Sequence, residues 1–407
     1  MLRFAGSEHF RQRLVCSTLS GKPIRIDDIR SHDQNPGLRD YEASLLRLLE
    51  KVTNGCIIEI NETGTSLRYK PGFIYGGAAV EHDCGTSRAI GYFLEPLACL
   101  AMFGKKPLSI TLRGMTNDGT DCGVDVWRTV TFPLLRQLTE LDDFELKIVK
   151  RGAPPGGGGE VFVRIPNLKQ LPPISLTDEG MVKRVRGVAY SMRVSPQNTN
   201  RMVDGARGVL NQASCGSLIS DCTRTWGTAA GSAAGEPACR RALLADVYIF
   251  TDHMTGPQAG ASPGYGITLV AETTSGRLLA AEASAAAAAA HPSEQGRDDG
   301  DSIVPEDIGK RCALALLEEI ERGGVVDSCH QASQPAHVGL VLLLCALGPE
   351  EINEVRLGPL TPYAVRTLRH VRDFFGVTFN VRPERESQTI FLSCIGAAIR
   401  NMSKRIQ

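Results

Sequence analysis

One order of elements occurs three times along the chain, and it constrains the fold more than any single motif. The first copy has a helix ending at "LSGKP", a strand in "PIRIDDI" and a helix near residues 40–52. Strands in "CIIEIN" and "SLRYKPG" follow, joined by a turn. The helix carries Tyr41, Leu45, Leu48, Leu49 and Val52 at helical spacing, which is one apolar face. The second copy runs from a helix ending at "MFGKKP" through "LSITLRG" and a helix near 125–139 to "FELKIVKRG" and "EVFVRIP". The third has "GLVLLLCALG", "EVRLG", a helix over 362–375, "VTFNV" and "TIFLSCI". Helix–strand–helix–strand–turn–strand, three times, predicts an α/β architecture in which each sheet is covered by its own helices.

The third copy is delayed, and the interval holds a different unit. Strand "VRGVAYSMRV" leads to a helix announced by Ser195 and Pro196; "DVYIFTD" and the hairpin "YGITLVAETTSGRLLAAEA" close the unit. The expected organisation is a large domain of three helix-and-sheet repeats interrupted by a small inserted α/β domain. Residues 1–183 carry repeats one and two, 184–283 the insert, 284–304 a flexible loop and 305–407 repeat three. Two segments biased toward small residues, 213–241 and 283–302, read as loops because they offer little apolar surface to bury.

Charge narrows the function. Lys plus Arg and Asp plus Glu both number 45, so no global field draws this chain to nucleic acid, and any such contact must be local. The 12 cysteines lack CxxC pairs and sit among apolar neighbours, as free thiols in a reducing compartment do. The N-terminus lacks a signal peptide's apolar centre, and no run reaches membrane-spanning length. The acidic loop with Asp118, Asp121 and Asp125 departs from calcium-loop spacing and reads as an approach to a helix; no metal site is expected.

The stretch "RGAPPGGGGEV" at 151–161 is the most unusual. Gly156, Gly157, Gly158 and Gly159 permit positive φ and close backbone approach, which suits a hairpin turn or a polyanion cradle. It lacks the Lys-Ser/Thr of a phosphate-binding loop. Arg151 beside it, and Lys183, Arg184 and Arg186 at the start of the insert, are candidate contacts to RNA phosphates or a partner. On helix 362–375, Ala364, Val365, Leu368, Val371 and Phe375 are the expected buried stripe. Arg366, Arg369 and His370 lie opposite, with Arg372 at the edge, as a second candidate basic face.

These residues resemble the RNA 3'-terminal phosphate cyclase family, and most closely its eukaryotic cyclase-like branch. "RGAPPGGGGEV" resembles the family signature. "NPGLRDYEASLLRLLEKVTNG", "EHDCGTSRAIGYFLE", "LTDEGMVKRVRGVAYSMRVSPQ" and "LGPLTPYAVRTLRHVRDFFGVTF" are similar to the cyclase-like branch. The resemblance covers nearly the whole chain and implies three repeats with a small inserted domain.

Departures from the cyclase pattern bear on the chemistry. The family's adenylylated histidine corresponds to Tyr363, and a phenol is a poor nucleophile at neutral pH. The family's glycine-rich N-terminal stretch is "AGSEHFRQR", with bulky His9, Phe10 and Arg11. Its Tyr-x-x-Asp-Gln corresponds to Asp327 through Gln331, with only Gln331 retained. Tyr363, Gln331 and Asp327 therefore mark a degenerate cyclase site, with no catalytic residue and no cofactor assigned. The resemblance implies an assembly factor of the small-subunit processome, needed for early pre-rRNA cleavages. It further implies binding to pre-rRNA and a ribosome-biogenesis GTPase in the nucleolus, as a monomer within a large complex and away from membranes. A pre-rRNA endonuclease and a residual ATP-dependent cyclase are the alternatives.

Overall fold

The structure, a computed structural model, describes residues 1–214, 246–285, 304–326 and 336–401. Three four-stranded sheets share one order. In the first, β1 (Leu2–Ala5), β2 (Ile24–Asp27), β4 (Ile57–Ile60) and β5 (Leu67–Lys70) are arranged β1-β2-β5-β4. A two-stranded ribbon of β3 (Thr53–Asn54) and β6 (Phe73–Ile74) stands beside it. The second sheet is β7-β8-β10-β9, from β7 (Gly77–Asp83), β8 (Leu108–Gly114), β9 (Glu145–Lys150) and β10 (Gly159–Ile165). The third is β11-β16-β18-β17, from β11 (Ser175–Leu176), β16 (Ile352–Leu357), β17 (Asn380–Glu384) and β18 (Thr389–Ile395). In each, the first pair is parallel and the other two are antiparallel.

The first strand of each sheet goes beyond the sequence reading, which found three strands per copy. β11 has only two residues, and β7 ("GAAVEHD") lacks the alternating apolar pattern that marks a half-buried strand. The paired helices match the reading. They are α1 (Phe10–Ser20) and α2 (Asp40–Val52) in the first repeat and α3 (Ile90–Ala101) in the second. The second repeat's other helix is α4 (Val124–Val126) continued by a π turn (Trp127–Thr131) and α5 (Phe132–Thr139). All of these contribute to one large core containing Leu45, Phe93, Trp127 and Leu343.

A fourth sheet, ordered β13-β12-β14-β15, is built from β12 (Val182–Met192), β13 (Val247–Met254), β14 (Gly264–Thr273) and β15 (Leu278–Ser284). Helix α6 (Pro196–Ser214) opens where Ser195 and Pro196 predicted. The biased segments 213–241 and 283–302 begin inside α6 and β15 and otherwise lie outside the described residues. Helix α7 (Pro305–Arg322), grouped by sequence with repeat three, packs elsewhere. Its Ile308, Cys312, Ala313 and Leu316 join Met202, Ala206, Ile267 and Leu269 in a separate core on the fourth sheet. Gly309 permits this: a Cβ there would sit 2.0 Å from the Met202 carbonyl oxygen. The third repeat's helices are α8 (Ala336–Leu347) and α9 (Pro362–Phe375). Among the described residues, no helix is long and apolar enough to cross a membrane.

Candidate functional site

Helix α9 begins cleanly because Thr361 caps it, its hydroxyl accepting from the Ala364 amide, with Pro362 in the first turn. This brings Tyr363 into the interior at 7% exposure. The phenol donates to Oε1 of Glu95 on α3 at 3.1 Å, and Arg11 on α1 holds Oε2 of the same carboxylate at 2.8 Å. Arg11 lies over the Tyr92 ring and also reaches Asp121, whose second cation is Arg88 at 2.5 Å. Gly339 on α8 leaves room for the phenol ring: a Cβ there would approach it to 2.7 Å. Three repeats thus converge on one buried charged network.

Burial, and then the neighbouring Glu95 carboxylate, push the Tyr363 phenol well above its ordinary pKa. The oxygen holds its proton and spends it on Glu95. A nucleophile needs that oxygen free of its proton, so the substitution of phenol for imidazole is reinforced by the surroundings. His9, at the start of α1, lies 5.2 Å from the Tyr363 ring, centroid to centroid. Burial, then Arg13, lower its pKa.

Further along α9, the expected faces need correction. Val365 is exposed, while Thr367, His370 and Phe374 are buried with Tyr363, Ala364 and Val371. His370 is therefore not a surface RNA contact. Its ring shares a 2.6 Å hydrogen bond with Gln12 Oε1, while Gln12 Nε2 donates to Thr367 Oγ1 at 2.6 Å. This arrangement makes Nδ1 of His370 the protonated nitrogen. Burial, then Arg13, lower the His370 pKa to about 3. Arg366, Arg369 and Arg372 do face solvent, and Arg372 pairs with Asp373.

Arg151 is the second correction. It is fully buried, with two hydrogen bonds to Asp125 at 2.7 and 2.8 Å, a third to Asp252 at 2.9 Å, and its guanidinium 4.5 Å from the Tyr190 ring centre. Burial opposes ionisation of Asp125, yet the Arg151 contacts outweigh it and hold the carboxyl below its ordinary value. The Asp252 contact, on β13, ties the second repeat to the fourth sheet. The adjoining glycines serve the same junction. Gly260 donates to the Arg151 carbonyl at 2.7 Å, Ala261 to Gly157 at 3.1 Å, and the Gly156 amide to Ser262 Oγ at 2.9 Å. A Cβ on Gly156 would meet Ala261 at 2.9 Å. Gly157 and Gly158 have φ of 59° and 81°, and Gly159 opens β10. The turn is a docking joint whose polar groups are largely spent within the protein.

Of the insert candidates, Lys183 is exposed, whereas Arg184 pairs with Glu272 and Arg186 with Asp246, both at 2.6 Å. Asp327 and Gln331 lie outside the described residues. The acidic loop carries no unspent carboxylate: Asp118 accepts from the amides of Ala89, Thr120 and Asp121, while Asp121 and Asp125 face arginines. Sequence reasoning missed Glu95. Its signal was a single charge inside the apolar run "IGYFLEPLACLA", a placement that requires a buried partner.

The sequence profile of the family described as RNA 3'-terminal phosphate cyclase matches residues 2–381. A human protein named RNA 3'-terminal phosphate cyclase-like protein is 48% identical over 413 residues, covering 100% of this chain and 98% of that one. A Dictyostelium discoideum protein with the same name, prefixed "probable", is 47% identical, covering 99% of each. A Schizosaccharomyces pombe protein named as an rRNA processing protein is 43% identical, covering 100% of this chain and 98% of that one.

Proposed function

The chain belongs to the RNA 3'-terminal phosphate cyclase family, among its cyclase-like proteins, and from that premise we propose that it is a non-cyclising factor of ribosomal RNA processing. The observation that carries this reading is the Tyr363 phenol: buried, protonated and bonded to a carboxylate where the family places its nucleophile. The name of the fission yeast relative supplies the RNA class. The finer reading is a nucleolar assembly factor of the small-subunit processome, acting in the early cleavages that yield small-subunit rRNA. It works as a rigid clamp. The buried Arg11 and Arg151 networks fix the repeats and the fourth sheet, one surface holds a ribosome-biogenesis GTPase, and another holds pre-rRNA.

Crosslinking in cells, with recovery of bound RNA and of co-purifying proteins, tests this. Reads concentrated in the small-subunit region of pre-rRNA, with a GTPase alongside, are the expected result. Reads spread over RNAs ending in 3'-phosphate, without processome proteins, contradict it.

A second reading rests on His9, an imidazole beside Tyr363 whose lowered pKa leaves it neutral. In that reading a His9 nitrogen attacks the α-phosphate of ATP and pyrophosphate leaves. Labelling of the protein by α-labelled ATP, lost in His9→Asn, supports it; an unlabelled protein removes it.

A further inference from the structure

We propose that Phe73, Tyr75, Lys105 and Lys106 form a platform that binds single-stranded RNA, the two rings stacking on bases and the lysines meeting phosphates. The inference rests on the rRNA-processing reading and adds a site to it. The chain alternates through β6 and the residue after it: Ile74 packs against the large core while Phe73 and Tyr75 turn outward at 81% and 40% exposure. The Phe73 ring therefore contributes almost nothing to the core. A single exposed apolar residue is ordinary; what distinguishes this one is its company.

The lysines are fixed beside Tyr75 by the backbone. The Lys105 amide donates to the Ile74 carbonyl and the Lys106 amide to the Tyr75 carbonyl, each at 3.0 Å. The Lys106 and Lys105 ammonium groups lie 5.3 and 5.9 Å from the Tyr75 ring centre. Both lysines are exposed, and among the described residues neither has a carboxylate partner. Beneath them β6 is held close to β3: a Cβ on Gly72 would sit 2.3 Å from the Asn54 carbonyl oxygen. The result is two outward-facing aromatic rings with two uncompensated positive charges beside Tyr75. This is the combination that single strands require, since every base offers a π face and every linkage a negative charge.

The fourth sheet has a superficially similar patch, with Tyr248 and Phe250 exposed on β13. There the flanking Arg184 and Arg186 are already matched by Glu272 and Asp246. Charge complementarity to an anion favours the β6 patch.

Fluorescence anisotropy of the full chain with a short labelled oligouridine, single-stranded or annealed into a duplex, tests the proposal. Single-strand affinity should fall about tenfold in Phe73→Ala and in Phe73→Leu, because a branched alkyl group cannot stack. Phe73→Trp should retain it. Lys105→Glu with Lys106→Glu should also weaken binding and flatten its salt dependence. Unchanged thermal unfolding of Phe73→Ala is expected from its exposure and separates binding from folding. Equal affinity of wild type and Phe73→Ala, or full binding by Phe73→Leu, overturns the platform. Loss of a co-purifying protein with oligouridine affinity intact assigns the patch to a protein partner, and also overturns it. Recovery of pre-rRNA from cells by the wild-type chain decides the processing reading separately, whatever the anisotropy shows.

Discussion

Tyr363 and Glu95, 268 residues apart, share a hydrogen bond of 3.1 Å, and that bond joins the third repeat to the buried charged network. The phenol is a buried donor to a carboxylate that Arg11 also holds. Tyr363→Phe removes the donor and leaves Arg11 on Glu95. The expected cost is about 1–3 kcal/mol of stability, measured by chemical denaturation. Neither wild type nor variant should convert an RNA 3'-phosphate to a cyclic end with ATP.

Arg151 is predicted to be structural. Arg151→Met leaves the buried Asp125 with only the half-exposed Arg128 at 3.2 Å, and about 3 kcal/mol should be lost. Because Asp252 lies on β13, the fourth sheet should loosen with it. Hydrogen exchange should show reduced protection over β12 and β13 in particular. Arg369→Ala, on the exposed face of α9, should change stability by less than about 0.5 kcal/mol in the same denaturation assay.

Acid sensitivity should arise in part at His370. Its folded pKa, about 3, is depressed from an ordinary 6.5, so the neutral ring's contribution is present above 6.5 and is lost as pH falls toward 3. His370→Asn should flatten the decline of melting temperature across that window. A mutant whose acid limb matches wild type contradicts this assignment.

Glu282 should act with the opposite sign. It borders a cavity of about 150 Å³ between the fourth sheet and the acidic loop, and accepts from the Gly123 amide at 2.9 Å. Burial, followed by Asp125 and Asp118, raises its pKa to about 8 from an ordinary 4.5. The folded state therefore binds an extra proton between those values, and stability falls as pH rises through that window. Glu282→Gln should remove this slope in melting curves taken at pH 5, 6, 7 and 8.

The repeats were readable because their helices and most of their strands carry strong apolar periodicity. β7 and β11 were not, because pairing with a stronger neighbour, rather than their own pattern, makes them strands, and β1 alternates over only four residues, too few to mark one. The site was harder to read for a related reason. Sequence shows that Arg151 and His370 are polar, but not that Asp125, Asp252 and Gln12 wait to bury them. Gln12 and Thr367 meet across 355 residues of chain, and no local spacing encodes such a contact. The stripe on α9 was misplaced for the same reason: a satisfied histidine outcompetes Val365 for the interior.

Depletion of the protein from cells, followed by rescue with wild type or Tyr363→Phe and electrophoretic analysis of pre-rRNA, tests the central claim most directly. Unprocessed small-subunit precursors should accumulate on depletion and disappear with either rescue at equal protein levels. Normal processing after depletion, or rescue by wild type alone, would contradict a role in rRNA processing that needs no chemistry at residue 363.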